Sequence, residues 1–197
     1  MDDAVLRAIA RWPNVPSVYG WLSLDRRGNW AIKGERIANR AITEFICRNY
    51  ACDERGRWFF QNGPQRVYAG LAYTPIVYRT VLDRGSHGLI AHTGMAVEAI
   101  TGVWIDEAGA LLAQSAAGVG VIHDQDLSDV LQWLVDSNGA PLDDAALEAW
   151  TNEPNASTAW FRLSTQSLTV APIESASVPL RFGFDPAPRP APGEPEC

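Results

Sequence analysis

Arginine and aromatic side chains form the most suggestive chemical constellation in this 197-residue sequence. Arg26, Arg27, Arg36, Arg40, Arg55, Arg57, Arg66 and Arg79 are interleaved with Trp21, Trp30, Trp58, Phe60 and Tyr68. A guanidinium beside an aromatic face can bind phosphate, carboxylate or a stacked ring. Gln61, Gln65 and Arg66 surround the tight turn Asn62-Gly63-Pro64 next to Trp58, with Arg79 on a following strand. In an antiparallel sheet these polar groups would line a shallow pocket over the first helix. Trp58, Gln61, Gln65, Arg66 and Arg79 are therefore the ligand-binding candidates. The competing reading is structural, because large aromatics at alternate strand positions fill cores and Arg at hairpin tips is ordinarily solvated.

Catalytic patterns are missing. His87, His92 and His123 are the only histidines. The first two flank one expected strand at an odd spacing, which places them on opposite faces and prevents a shared metal. His123 stands with Asp124 and Asp126 at a helix start, where capping and the helix dipole explain all three. The same argument covers Asp143 and Asp144. No Ser, Cys or Thr lies in a nucleophile-elbow frame. Gly118-Val119-Gly120 lacks the third glycine of a dinucleotide loop, and no P-loop is present. Cys47, Cys52 and Cys197 are too few and too irregular for a disulfide framework or a zinc site, and their odd number fits a reducing compartment. Cys47, in the run Phe45-Ile46-Cys47, is expected to pack as a small hydrophobe. No catalytic residue, metal or cofactor is expected.

With 47% hydrophobic residues and 20% charged ones, the chain can fill a core, which excludes a disordered or collagenous protein. The net charge of -7 argues against a nucleic-acid partner. It is unevenly spread: residues 1–80 carry 12 Lys and Arg against 7 Asp and Glu. That polarity suits either attraction between the halves or a basic face for an anionic small molecule or protein partner. No apolar run is long enough to span a membrane. The opening Met1-Asp2-Asp3 and its amphipathic continuation lack a signal-peptide pattern, so the cytoplasm is the expected compartment.

The elements that must position these residues are written twice. Asp25-Arg26-Arg27-Gly28, Asp53-Glu54-Arg55-Gly56, Asp106-Glu107-Ala108-Gly109 and Asp136-Ser137-Asn138-Gly139 share the form Asp-x-x-Gly. Asp accepts a backbone hydrogen bond from two residues on, and Gly takes the left-handed conformation that closes the loop. Each pair of turns encloses the same succession of hairpin, helix and strands, the signature of a duplicated unit. Ile42, Phe45 and Ile46 mark one helical face, echoed by Val130, Trp133 and Leu134. Trp58–Gln61, Arg66–Ala69 and Pro75–Arg79 read as strands after the first helix. Trp160–Leu163, Leu168–Val170 and Val178–Arg181 echo them, with Pro179 favouring an edge. His87–His92 is a further strand, and Asp143–Trp150 an inserted helix.

The expected fold class is α+β, two tandem repeats of hairpin, helix and antiparallel strands. The expected organisation is an amphipathic segment (1–18), a first repeat (19–82), a connecting strand and linker (83–98) and a second repeat (99–184). A Pro-rich tail (185–197), polyproline-like and unable to bury apolar area, completes the chain. The hairpin with Asp-x-x-Gly-x-Trp, the helix, then Asp53-x-x-Gly56-Arg57-Trp58 and strands ending in Thr74-Pro75-Ile76-Val77 resemble a proteobacterial family of unknown function. That resemblance implies two repeated α+β motifs and a suggested role in signal transduction, with no established activity. Trp12-Pro13-Asn14-Val15-Pro16, Tyr19-Gly20-Trp21 and the stretch Trp58 to Tyr68 also resemble a shorter uncharacterised proteobacterial family. The likeness covers about residues 12–82 and brings no catalytic residue. The expectation is a noncatalytic binding or regulatory module, with a structural or protein-interaction subunit, such as a homo-oligomer joined through sheet edges and the Pro-rich tail, as the alternative.

Overall fold

A computed structural model describes residues 1–83, 85–152 and 158–193. The chain divides into two units, Met1–Pro75 with Pro179–Cys197, and Ile76–Val178. In the first, helix α1 (Asp3–Arg11) precedes strands β1 (Val18–Leu24), β2 (Trp30–Ile32) and β3 (Glu35–Arg36). Helix α2 (Arg40–Arg48) follows, then β4 (Tyr50–Cys52), β5 (Trp58–Asn62) and β6 (Gln65–Leu71). The sheet order is β3-β2-β1-β6-β5-β4. Two antiparallel meanders thus meet at one parallel pair, β1 with β6, through Val18–Val67 and Leu22–Ala69.

The second unit repeats this plan. It contains β7 (Ile76–Asp83), β8 (Ser86–Ala91), β9 (Ile100–Ile105), β10 (Leu111–Ser115) and β11 (Gly118–Ile122). A 3₁₀ turn (Asp124–Asp126), α3 (Leu127–Leu131), β12 (Leu134–Val135), α4 (Asp144–Asn152), β13 (Trp160–Leu163) and β14 (Gln166–Pro172) complete it. Its sheet order is β12-β13-β14-β9-β10-β11-β7-β8. From β12 to β11 this is the first sheet's order again, with β14 parallel to β9 where β6 is parallel to β1. The expected α+β fold with an internal repeat is present.

The four Asp-x-x-Gly segments make the same turn. In each, one Asp carboxylate oxygen accepts from the amides two and four residues on, at 2.8–3.0 Å. The Gly amide donates to the Asp carbonyl, and φ is +79°, +75°, +79° and +84° at Gly28, Gly56, Gly109 and Gly139. Helix α2 starts at Asn39, whose side chain accepts from the amides of Ala41 and Ile42. Its Ile46 is fully buried, Phe45 meets Phe60 edge-on at 5.5 Å, and Cys47 receives the Trp30 indole N–H at 3.4 Å.

Several expectations are corrected. The strand at 75–79 becomes β7 and joins the second sheet, parallel to β11. Val178–Arg181 is helical (α5, Val178–Phe182), because Pro179 sits in its first turn, where a missing N–H costs nothing. Helix α3 stops at Leu131, so Trp133 lies in a turn and Leu134 in β12. Ile42 is 47% exposed rather than facing the core. The inserted helix expected at Asp143–Trp150 is present as α4, reached from the Asp136 turn through a bridge between Val135 and Pro141. The Pro-rich tail does bury apolar surface, since Pro188 is buried. Its last residues, including Cys197, lie outside the described residues.

Candidate functional site: an arginine-lined cavity in the first unit

Strands β5 and β6 pair with Phe59 opposite Tyr68, Phe60 opposite Val67, Gln61 opposite Arg66 and Asn62 opposite Gln65. Opposed residues share a face and neighbours alternate. Phe59, Gln61, Arg66 and Tyr68 therefore lie on one face, and Trp58, Phe60, Gln65 and Val67 on the other. Helix α2 covers the second face. There Trp58 packs against Tyr50, ring centres 4.9 Å apart, and Gln65 donates its side-chain N–H to the Pro16 carbonyl at 3.0 Å.

The first face carries a buried polar network. The Asp53 turn brings Arg57 back beside its own carboxylate, Nε to Oδ2 at 2.8 Å. The remaining guanidinium nitrogens donate to the hydroxyls of Tyr19 (3.2 Å) and Tyr68 (2.9 Å). The Tyr68 hydroxyl donates to Asp53 Oδ2 at 3.0 Å. The Tyr19 and Tyr68 rings stack at 4.6 Å, and Arg57 lies 4.5 Å from the Tyr68 ring centre. Burial opposes ionisation of Asp53, but the donors from Arg57, Tyr68 and the turn amides outweigh it and hold the carboxyl below its usual range. Burial raises the Tyr68 hydroxyl.

Next to this network opens a cavity of about 710 Å³, bounded by Cys52, Asp53, Glu54, Arg55, Arg57, Phe59, Arg66 and residues 191–193. The Arg66 guanidinium lies 4.7 Å from the centre of the Phe59 ring. Three arginines thus border one concave surface with two acidic residues, of which Asp53 is committed to Arg57. Arg55 and Arg66 are exposed.

The family model DUF2944, described as "Protein of unknown function (DUF2946)", matches residues 1–189. The chain belongs to this family. A search of curated proteins finds no match. Among solved structures, a DUF1285 family protein from Silicibacter pomeroyi DSS-3 is 15% identical with a TM-score of 0.51, covering 90% of this chain and 98% of that one. A DUF1285 family protein from Shewanella baltica OS155 is 11% identical with a TM-score of 0.43, covering 59% of this chain and 91% of that one. The first likeness shows a shared fold over nearly the whole length. The family match agrees with the expected membership of a family of unknown function with no established activity.

In this DUF2944 protein the five sequence-derived candidates separate. Arg66 alone borders the cavity. Gln61 shares its face but is buried, its amide donating to the Gly63 carbonyl at 2.9 Å. Trp58 and Gln65 lie on the opposite face. Arg79 belongs to the second unit, where it grips Asp126 with two nitrogens at 2.6 and 2.9 Å. The Thr80 amide also donates to Asp126, at 2.9 Å. Arg79 chiefly holds the Asp126 carboxyl below its usual range.

Sequence reading included Arg55 and Arg57 in the arginine cluster without placing them in the site. The signal was present in Asp53-Glu54-Arg55-Gly56-Arg57, since the turn returns the fifth residue to the first. Nothing local announced residues 191–193.

The other chemistry-bearing residues of the DUF2944 chain have structural places. His92 is buried, accepts the Val77 amide on Nδ1 at 3.2 Å, and is pushed down to about 4 by burial. His123 accepts the Gln125 amide as the expected cap. The His87 ring lies 5.6 Å from that of Trp133. Gly118-Val119-Gly120 forms β11, where a Cβ on Gly120 would collide with the Tyr78 ring at 2.6 Å. Burial, then the nearby Asp53 charge, raises the Cys52 thiol. Among the described residues no three His, Cys, Asp or Glu side chains converge as metal ligands. Among them, too, no helix is long and apolar enough to cross a membrane.

Proposed function

We propose that this protein is a noncatalytic binding module whose first unit takes an anionic small molecule in the cavity of Arg55, Arg57 and Arg66. The observation that carries the reading is that these three arginines line one concavity, with Arg66 stacked on Phe59. Arg57 is fixed by Asp53 and the two tyrosines, so it is pre-organised. Arg55 and Arg66 stand at the rim, where a phosphate or carboxylate could be held through paired N–H donors. Phe59 offers an apolar surface for the body of the ligand. Cytoplasmic residence and a regulatory use belong to the same proposal. The structural duties of His92 and His123 and the raised Cys52 thiol support a noncatalytic role.

The test is isothermal titration of the full chain with inorganic phosphate, pyrophosphate and a panel of small carboxylates. Arg66→Ala should weaken the binding anion by about tenfold or more, equivalent to ~1.4 kcal/mol, with unchanged thermal stability. Equal affinity in Arg66→Ala would remove this site.

A further inference from the structure

After Val178 the chain returns to the first unit. Helix α5 is followed by Gly183, in the left-handed conformation at φ +66°, and by a buried Phe184. The next two residues stand where the β5–β6 ladder would run on. Its register pairs Phe59 with Tyr68 and Gln61 with Arg66, so its continuation would set Arg57 against Gly70 and Gly56 against Leu71. The returning chain takes those backbone groups instead. The Asp185 amide donates to the Gly56 carbonyl at 2.9 Å, and the Leu71 amide donates to the Pro186 carbonyl at 2.8 Å. Arg57 and Asp185 form a parallel bridge. Asp185-Pro186 is therefore a wedge between the Asp53 turn and the end of β6.

The fit at the wedge is close. A Cβ on Gly56 would stand 2.1 Å from the Gly183 carbonyl oxygen and 3.0 Å from the Phe184 Cα, so the turn admits the segment only because it carries glycine. Beyond the wedge, the Ala187 amide donates to the Asp185 carboxylate at 2.9 Å, and Pro188 is buried. Residues 191–193 then border the cavity of Arg55, Arg57 and Arg66. The three arginines thus stand on two elements, Arg55 and Arg57 on the Asp53 turn and Arg66 on β6. Both elements are backbone-bonded to the same short segment, which also forms one wall of the cavity.

We infer that the returning segment Gly183–Gly193 is the positioning element of the anion site, and that its docking and the capture of an anion by the three arginines are coupled. The inference rests on the anion site proposed above. The segment acts through the turn: with the wedge in place, the Asp53 turn and β6 are held at one separation, which fixes where Arg55 and Arg57 stand relative to Arg66. Without it, the ordering of the turn would have to be supplied when the anion binds, at a cost in affinity. By linkage, a bound anion strengthens the docking of the segment by the same factor as docking strengthens the anion. The segment is thus a strap whose release would empty the site.

The test uses the full chain and the tightest-binding member of the panel of phosphate, pyrophosphate and small carboxylates. Gly56→Ala, which forces the segment off the turn, should weaken that anion by about tenfold in isothermal titration. Gly109→Ala, the same change in another Asp-x-x-Gly turn with nothing within 4 Å of the added Cβ, should bind within about twofold of the native chain. In the native chain, saturation with the anion should slow hydrogen exchange of the Asp185 and Leu71 amides by about tenfold, and addition of the same anion to Arg66→Ala should not. Native affinity in Gly56→Ala, or unchanged exchange of the two amides in the saturated native chain, overturns the coupling and leaves the anion site standing. A native chain that binds no member of the panel overturns the anion site, and the coupling with it. If Gly56→Ala does not fold, the exchange measurement on the native chain decides alone.

Discussion

Gly56 and Gly109 close equivalent turns at φ of +75° and +79°, yet their surroundings differ. A Cβ on Gly109 would meet nothing within 4 Å, whereas one on Gly56 would stand 2.1 Å from the Gly183 carbonyl oxygen. Gly109→Ala should therefore cost only the left-handed penalty, about 1–2 kcal/mol. Gly56→Ala carries that penalty and must also displace backbone that hydrogen-bonds back to the turn, so it should cost about 2 kcal/mol more. Chemical denaturation of the two variants checks the difference. Equal losses would mean that the chain near Gly183 is not held against this turn. The same comparison shows what two identical motifs can hide, because the Asp-x-x-Gly pattern gives the turn and not its neighbour.

At the scale of elements, helix α2 depends on its cap. Asn39→Ala leaves the amides of Ala41 and Ile42 without their acceptor and should lower stability by about 1 kcal/mol, seen as a reduced thermal midpoint. Elements whose signals are local were legible in the sequence: the four turns, α2, the β5–β6 hairpin at Asn62-Gly63-Pro64, and the order of the repeat. Those decided by distant contacts were not. The alternation Pro75-Ile76-Val77-Tyr78-Arg79 announces a strand but not its sheet, which is settled by pairing with Gly120 to Ile122. Val178-Pro179-Leu180-Arg181 is too short for its period to separate strand from helix. Of the candidate site, Arg66 was legible. Gln61 and Trp58 were assigned to one pocket although they stand three positions apart on β5 and so on opposite faces. The tail's contribution rests on its return from the second unit, which no local pattern encodes.

At the scale of the whole molecule, acid stability is set in part by His92. Its buried ring titrates at about 4 against the ordinary 6.5. The unfolded chain therefore takes up a proton between these values that the folded chain refuses. Stability from this source is intact above pH 6.5, falls as the pH drops through the window, and levels off below about 4, for a loss of up to about 3 kcal/mol. Denaturant midpoints of the native chain should fall from pH 7 to pH 5, and His92→Gln should flatten that slope. Asp53 and Asp126, held below the usual range by their donors, add a loss only at lower pH, as they protonate. The first unit, residues 1–75 with 179–197, carries 13 Lys and Arg against 10 Asp and Glu, a positive balance that suits an anion site. Anion binding at Arg66 can be read by native mass spectrometry of the intact chain purified gently from a bacterial cytosol. A reproducible small anionic adduct that is lost in Arg66→Ala is the predicted result. A bare native chain, or an adduct that persists in Arg66→Ala, would contradict it.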